Sequence, residues 1–463
     1  MSARVRTIFL LDIDCFFASV EMALHPELRG KPLCVGGCRG ERGIVACPNY
    51  EARAYGVRTA MPLRTAERLL PPEAVFLRGN HHMYGEYSER VMNILYDFTP
   101  DIEQVSVDEA YMDVTGCLHF WNGPDRVPTS RHTVGAGDPL RMAAAMKERI
   151  QRECGLQVSI GIASNKVCAK IAAGLKKPNG LVMVPHGAES AFLAPLPIEV
   201  VPGVGTKTLP KMHAQGIFTV GDVLNPPVPL CGTRPRPEDR QYEICPSATG
   251  GRDLVQRTGN PKSALSRYLS AVAHGTDETV MQYDRASLTN PFWRVEKSIS
   301  RDTTFGHDTN DAAFIRSTLF YLTERCCKTL RQRNQVACTI TVKVRFTNFT
   351  TVQRQTTLSR AAANEEDLFA VAQRMLRVLL PPNCSVRLVG VKVSNLSAAD
   401  DIHNQMQFDV TKWEKIGNLH RRLDALRAKH GYTSVQWGIT YALRDRFAST
   451  DDGYQLHSPV YEL

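Results

Sequence analysis

The stretch Val105–Val114, VSVDEAYMDV, sets two carboxylates side by side, Asp108 and Glu109, inside a run of strand-forming residues. Successive side chains of a strand point to opposite faces, so on a straight strand these acids would diverge. A bend or hairpin turn here would let both approach one locus. A third acid is supplied by TIFLLDIDCFF, Thr7–Phe17, where the unbroken apolar run Ile8–Leu11 suits a strand buried on both faces and Asp12 arrives where the chain should leave the sheet. An acid there is costly to bury unless paired or bound to metal. Three like charges around one site cannot all stay ionised without a counterion, and hard oxygen ligands suit Mg²⁺. Two such ions about 3.5–4 Å apart would activate an attacking hydroxyl and stabilise a leaving oxygen in phosphoryl transfer. Spacing alone leaves blander roles open. Adjacent acids are common at exposed strand ends, and Asp12 or Asp14 could cap the amphipathic stretch CFFASVEMALH, the preferred role for Asp14.

The 463 residues around this locus, 43% hydrophobic and 22% charged, have the composition of a folded chain too long for one core. Two to four domains are expected. The N-terminal run IFLL is cut off by Asp12 and Asp14, too short for a signal or a membrane span, which points to a cytoplasmic protein with no membrane partner. Thirteen cysteines, an odd number without a secretory signal, read as reduced thiols. Cys34 and Cys38 lack a second pair at zinc-finger distance, and the neighbours Cys326 and Cys327 should pack inside a helix.

The formal net charge is +9, and eight basic residues with no acidic one lie between Arg325 and Asn364. They interleave with strand-like stretches such as CTITVKVRF, where Lys343 and Arg345 would project from one face. That is the footprint of a polyanion partner, or else a solvated face.

Residues 1 to about 184 alternate apolar strands with helical stretches, and a subsegment spans 24–85. Residues 185–290 read as helical, 291–400 return to strands and helices, and the last sixty are polar with one amphipathic helix, NLHRRLDALRAKHG. Residues 117–139 and 226–262, rich in Gly, Pro, Ser and Thr, are expected to be surface insertions.

Five motifs, LLDIDCFFASVE, NYEARAYGVRTAMP, VSVDEAYMDVTG, SIGIASNKVCAKIAAGLKKPNG and VPGVGTKT, occur in the order found in Y-family translesion DNA polymerases. The chain most resembles the DinB, or DNA polymerase IV, branch, over residues 7 to about 225 and 265 to 440. The resemblance implies an α+β multidomain, right-hand fold. Its parts would be a ferredoxin-like palm (1–23 and 86–184), small fingers (24–85), a helical thumb with a helix-hairpin-helix (185–290, insertion 226–262), a mixed α/β little finger (291–400) and a C-terminal tail (401–463). It implies low-fidelity, template-directed transfer of a nucleotide from a dNTP to a primer 3′ hydroxyl, without proofreading. Two Mg²⁺ ions would be held by Asp12, Asp108 and Glu109 with the Ile13 carbonyl.

Tyr50 and Arg53, three apart and so on one helix face, and Lys177 in KKPNG are the implied triphosphate contacts. Phe17 takes the steric-gate position beneath the sugar. Val45 and Ala46 fall where the family places small or aliphatic residues over the nascent base pair, leaving a roomy site. In VPGVGTKT, Gly203 and Gly205 would let the backbone approach a phosphate, beside Lys207. Arg301, Lys343, Arg345 and Arg354 are the little-finger candidates for DNA phosphates, with steep salt dependence expected. Gln405, Met406 and Phe408 lie where relatives carry a sliding-clamp peptide, or form a linker that simply packs. The implied partners are primer-template DNA, dNTP and a clamp, for a monomeric enzyme. A dead homologue should have lost metal ligands, and all three are present. A palm-fold nucleotide cyclase would have no use for the helix-hairpin-helix or the basic third segment.

Overall fold

From Ile8 to Leu11 no polar side chain offers a face to water, and the segment becomes β1 (Ile8–Ile13), a central strand hydrogen-bonded on both sides. The computed structural model describes residues 6–121, 137–224, 264–277, 279, 281, 297–381, 384–399, 410–447, 449–454 and 456. Contacts divide the chain into two units, residues 1–29 with 82–291 and residues 30–81 with 292–463. The proposed insertion 226–262 and most of 117–139 lie outside the described residues.

In the first unit β1 is followed by α1 (Phe16–Leu24), α2 (His81–Tyr96), β2 (Ile102–Gln104), β3 (Glu109–Asp113), α3 (Pro139–Cys154), β4 (Val158–Ala163), α4 (Lys166–Leu175) and β5 (Leu181–Met183). The sheet order is β2-β3-β1-β4-β5, antiparallel except for the β4–β5 pair. Ile8 and Leu10 share a core with Val167, Ile171 and Ala172 of α4, while Phe9 and Leu11 alternate to the opposite face and are equally buried. Helix α4 sits unusually close to β4. A Cβ added at Gly161 would lie 2.0 Å from the Ala169 carbonyl oxygen, so glycine is what lets the helix backbone rest on the strand. The same core continues into the helical stretch after β5 through Leu193, Ile198, Val201, Ile217, Val223 and Leu269.

In the second unit, strands Cys47–Pro48, Leu33–Val35 and Val75–Leu77 form a small sheet in that order. Its core holds Cys34, Val45, Leu63 and Phe76. The rest is β6 (Ser298–Thr309), α5 (Ala312–Gln332), β7 (Gln335–Phe346), β8 (Thr351–Ala362), α6 (Glu365–Leu379), β9 (Val386–Ala398) and α7 (Val410–His430). The four strands pair antiparallel in the order β8-β7-β9-β6. Ile340, Val342, Val344, Val389, Val391 and Val393 pack with α5 and α6 on one face, so alternation assigns Thr341, Lys343 and Arg345 to the other.

The C-terminal residues are more than a polar tail with one helix. Beyond α7 the chain returns, and Tyr432, Leu443, Tyr454 and Leu456 enter the core of the second unit. Charge hid this from composition, because the charges are buried in pairs. Arg331 bonds Glu365 at 2.9 Å and Asp424 at 2.7 Å, and Arg427 meets Glu324 at 2.7 Å.

His420, 2% exposed, sits between Glu365 at 2.9 Å and Glu366 at 3.0 Å. Burial alone would lower its pKa, but the hydrogen bonds and charges of both glutamates overcome that and raise it to about 9. A pKa raised by folding contributes stability that is complete below the unfolded value near 6.5 and lost as pH climbs through about 9. His420→Gln is therefore expected to flatten the stability profile of this unit between pH 6.5 and 9, where wild type loses on the order of 3 kcal/mol more than the variant. Urea titrations across that range measure it, and parallel profiles would refute the charged imidazole.

All eleven described cysteines are free thiols, with Cys326 and Cys327 fully buried as expected. No helix among the described residues is long and apolar enough to cross a membrane.

Candidate active site

The turn anticipated between the two acids is present. Val105 N donates to the Glu109 carbonyl at 2.9 Å, the Ser106 hydroxyl accepts from Glu109 N at 3.1 Å, and β3 starts at Glu109. Asp12 and Glu109 are cross-strand partners, and Ile13 N donates to the Asp108 carbonyl at 2.9 Å. Backbone pairing thus brings the three acids and Ile13 to one end of β1. The carboxyls of Asp12 and Glu109 interact directly, whereas that of Asp108 accepts from the Ser106 hydroxyl. Burial pushes the Asp12 carboxyl up to about 7, with Lys177 pulling it down and Glu109 pushing it further up.

Lysines answer these acids. Lys170 Nζ lies 2.7 Å from both oxygens of Glu109, Lys177 contacts Asp12, and Lys166 Nζ lies 2.9 Å from both oxygens of Glu103. Lys166 and Lys170 are four apart on α4 and so share its sheet-facing side. Lys170 escaped the sequence reading, and its spacing from Lys166 was the available signal. Asp14 is not the cap it was taken for. Cys15 holds that position with φ 37° and no side-chain cap, while Asp14, 2% exposed, accepts from the Ser159 hydroxyl at 2.9 Å and from Asn179 N at 2.6 Å. A carboxylate that finds a hydroxyl and a backbone N–H donor inside the fold gains more than one exposed helix N–H would give.

Phe16 is core, but Phe17 is only half-buried and stacks on Tyr84 with centroids 4.3 Å apart. Tyr84, 1% exposed, donates its hydroxyl to Glu21 at 2.5 Å. Tyr84 was also missed, since one aromatic on an amphipathic helix looks like any other core residue.

In the second unit the Arg53 guanidinium lies 5.4 Å over the Tyr50 ring on helix Tyr50–Ala54, so these two are brought together as spacing required. Val45 is fully buried in the small core, which removes it from any surface facing a base pair; Ala46 is partly exposed.

The four basic candidates do not share a face. Lys343 and Arg345 do, with Lys343 paired to Asp302 and Arg345 Nε donating to Thr351 Oγ1 at 2.9 Å. Arg301, 9% exposed, alternates to the helix side and donates to Thr329 of α5 at 3.3 Å, so it is withdrawn as a DNA contact. Arg354 opposes Val342 and therefore also lies on the helix side, exposed at the sheet edge. Lys392, exposed and in register with Thr341, joins Lys343 and Arg345 and was overlooked.

Gly203, with φ 91°, Gly205 and Lys207 are exposed at the turn before a short helix, Leu209–His213, of the first unit. Gln405, Met406 and Phe408 lie outside the described residues.

Residues 11–174 match the family described as the impB/mucB/samB family, and residues 296–408 match its C-terminal domain. DNA polymerase IV of Dehalococcoides mccartyi strain CBDB1 is 38% identical over 446 residues, 96% of this chain and 100% of its own length. DNA polymerase IV of Treponema denticola is 35% identical over 399 residues, covering 86% of this chain and 87% of its own. Among solved structures, the Y-family DNA polymerase chimera Dbh-Dpo4(243-245)-Dbh superimposes with a TM-score of 0.65 at 25% identity, over 85% of this chain and 99% of that one. A mixed α/β chain gathering these acids and lysines at the end of one strand is thus a Y-family DNA polymerase, a member of the impB/mucB/samB family. It belongs to the DinB branch and is a DNA-directed DNA polymerase.

Proposed function

We propose that this polymerase performs translesion synthesis by metal-assisted nucleotidyl transfer, with Asp12, Asp108, Glu109 and the Ile13 carbonyl as cation ligands. The observation carrying this reading is the backbone juxtaposition of three acids at the end of β1, where the Asp12 carboxyl, beside Glu109, is pushed up to about 7 by burial despite Lys177. Three carboxylates against the two lysines that pair with them leave a net negative charge, and hard oxygen donors so charged fit a divalent cation such as Mg²⁺. When bound, two such ions lower the pKa of an attacking hydroxyl and neutralise charge gathering on the transferred phosphate.

The primer 3′ hydroxyl gives up its proton to solvent and its oxygen attacks the α-phosphorus of the dNTP, the new O–P bond forming as the bond from that phosphorus to the bridging β-phosphate oxygen breaks, and pyrophosphate departs. Lys177 supplies a positive charge for the triphosphate, and Tyr50 and Arg53 are proposed as further phosphate contacts, the guanidinium fork matching paired oxygens. The sheet of the first unit, with its β-α-β-β-α-β path, supports a ferredoxin-like palm. Residues 185–290 would be the thumb, 24–85 the fingers and 291–400 the little finger. Lys343, Arg345 and Lys392 are its proposed phosphate contacts, with Gly203, Gly205 and Lys207 in the thumb, and a 405–408 clamp peptide remains part of the proposal. No exonuclease carboxylate set is evident in the sequence, so synthesis is proposed to run without proofreading.

Primer extension with Mg²⁺ on intact and lesion-bearing templates, with Asp108→Ala as control, tests the reaction. Sugar selection has its own test. Phe17→Ala is expected to raise ribonucleotide insertion relative to deoxyribonucleotide by roughly ten- to a hundredfold, and Tyr84→Ala by less, because the stacked ring backs the gate. The ratio of kcat/KM values measures both, and an unchanged ratio in Phe17→Ala would remove the gate.

A further inference from the structure

Asp14 is buried at the end of β1, two residues beyond Asp12, yet no step above uses it. Its two carboxylate oxygens accept from the Ser159 hydroxyl at 2.9 and 3.0 Å, and one also accepts from Asn179 N at 2.6 Å. Ser159 Oγ in turn accepts from Gly180 N at 3.0 Å. The loop so held is tight: Asn179 has φ 56°, and a Cβ on Gly180 would lie 2.6 Å from the Lys176 carbonyl oxygen. Lys147 Nζ adds bonds to the carbonyls of Gly180 at 2.9 Å and Val158 at 2.7 Å. Since Asp12 and Ser159 are register partners across β1 and β4, the bonds through Asp14 and Ser159 tie the loop to the strands that present Asp12, while Lys147 ties it to α3. Lys177, in contact with Asp12, rides on that loop.

We propose that Asp14 is a positioning residue: its buried carboxylate, with the Ser159 hydroxyl, locks the Lys177–Gly180 loop to the end of β1 and so fixes the Lys177 ammonium over Asp12, where the triphosphate is taken. The kinetic part rests on the reading of Lys177 given above. Full-length Asp14→Asn and Ser159→Ala variants test it in two ways. The first is competitive acylation of the free enzyme by acetic anhydride, read by mass spectrometry at Lys177 with Lys170 as internal reference. Both variants are expected to raise the Lys177-to-Lys170 ratio roughly threefold or more, as loss of one or two buried hydrogen bonds frees the loop. An unchanged ratio overturns the proposal, even if the melting temperature falls.

The second is single-nucleotide insertion. KM for dNTP should rise about tenfold in Ser159→Ala, the worth of one charge-assisted hydrogen bond, with kcat within roughly twofold. That rise should vanish in a Lys177→Ala background, whereas additive effects overturn the proposal. If Lys177→Ala alone leaves KM unchanged, the triphosphate reading of Lys177 falls, and the acylation ratio still decides whether Asp14 anchors the loop.

Discussion

An Asp108→Ala variant is expected to extend a primer on the order of 10³-fold more slowly than wild type, a loss of about 4 kcal/mol of transition-state stabilisation. The size follows from removing one of three negative charges where a divalent cation must be held against phosphate oxygens. Asp108 gives the cleanest version of this test. Its carboxylate bonds the neighbouring Ser106 hydroxyl in the turn, so truncation leaves no buried cation stranded. Removing Asp12 or Glu109 would orphan Lys177 or Lys170 respectively. Melting temperature and primer-template affinity of Asp108→Ala should therefore stay close to wild type while turnover collapses. Extension within tenfold of wild type, with Mg²⁺ in excess, would remove Asp108 from the ligand set and with it the proposed chemistry.

What the sequence made legible here was local. The apolar run ending in Asp12 announced a buried strand with an acid at its end, and the adjacency of Asp108 and Glu109 demanded a turn, because a pleated strand would have parted them. The features that stayed hidden depend on register or on placement in three dimensions. Asp14 looked like a helix cap because its partners, Ser159 and Asn179, are far along the chain. Lys170 acquires meaning only when α4 is laid across β3. Arg301 and Arg354 were grouped with Lys343 by charge, yet a shift of one residue in strand parity sends a side chain to the other face. The C-terminal segment read as a polar tail with one amphipathic helix because composition cannot tell a charge in water from one buried against Arg331 or Glu324.

The close seat of α4 on β4 leads to a second large effect. Gly161→Ala would place a methyl 2.0 Å from the Ala169 carbonyl oxygen and 2.4 Å from Ala173 N. Both are helix backbone atoms, so no side chain can rotate away, and the helix itself must lift by about an ångström or more to restore contact distance. Overpacking of this kind costs roughly 3 kcal/mol or more, which in a unit of this size lowers the melting temperature by about 6–12 °C. Function should suffer beyond the stability loss, since Lys170 reaches Glu109 from this helix and the Lys177 loop follows directly after it. Gly174 lies on the same helix with nothing within 4 Å of an added Cβ. Gly174→Ala is thus expected to stabilise by up to about 1 kcal/mol through helix propensity alone. The same chemical change therefore takes opposite signs at the strand glycine and the helix glycine, decided by whether helix backbone or open space meets the added methyl. Thermal unfolding of the pair measures it, and a Gly161→Ala enzyme melting within about 2 °C of wild type would mean that α4 does not rest on β4 as described.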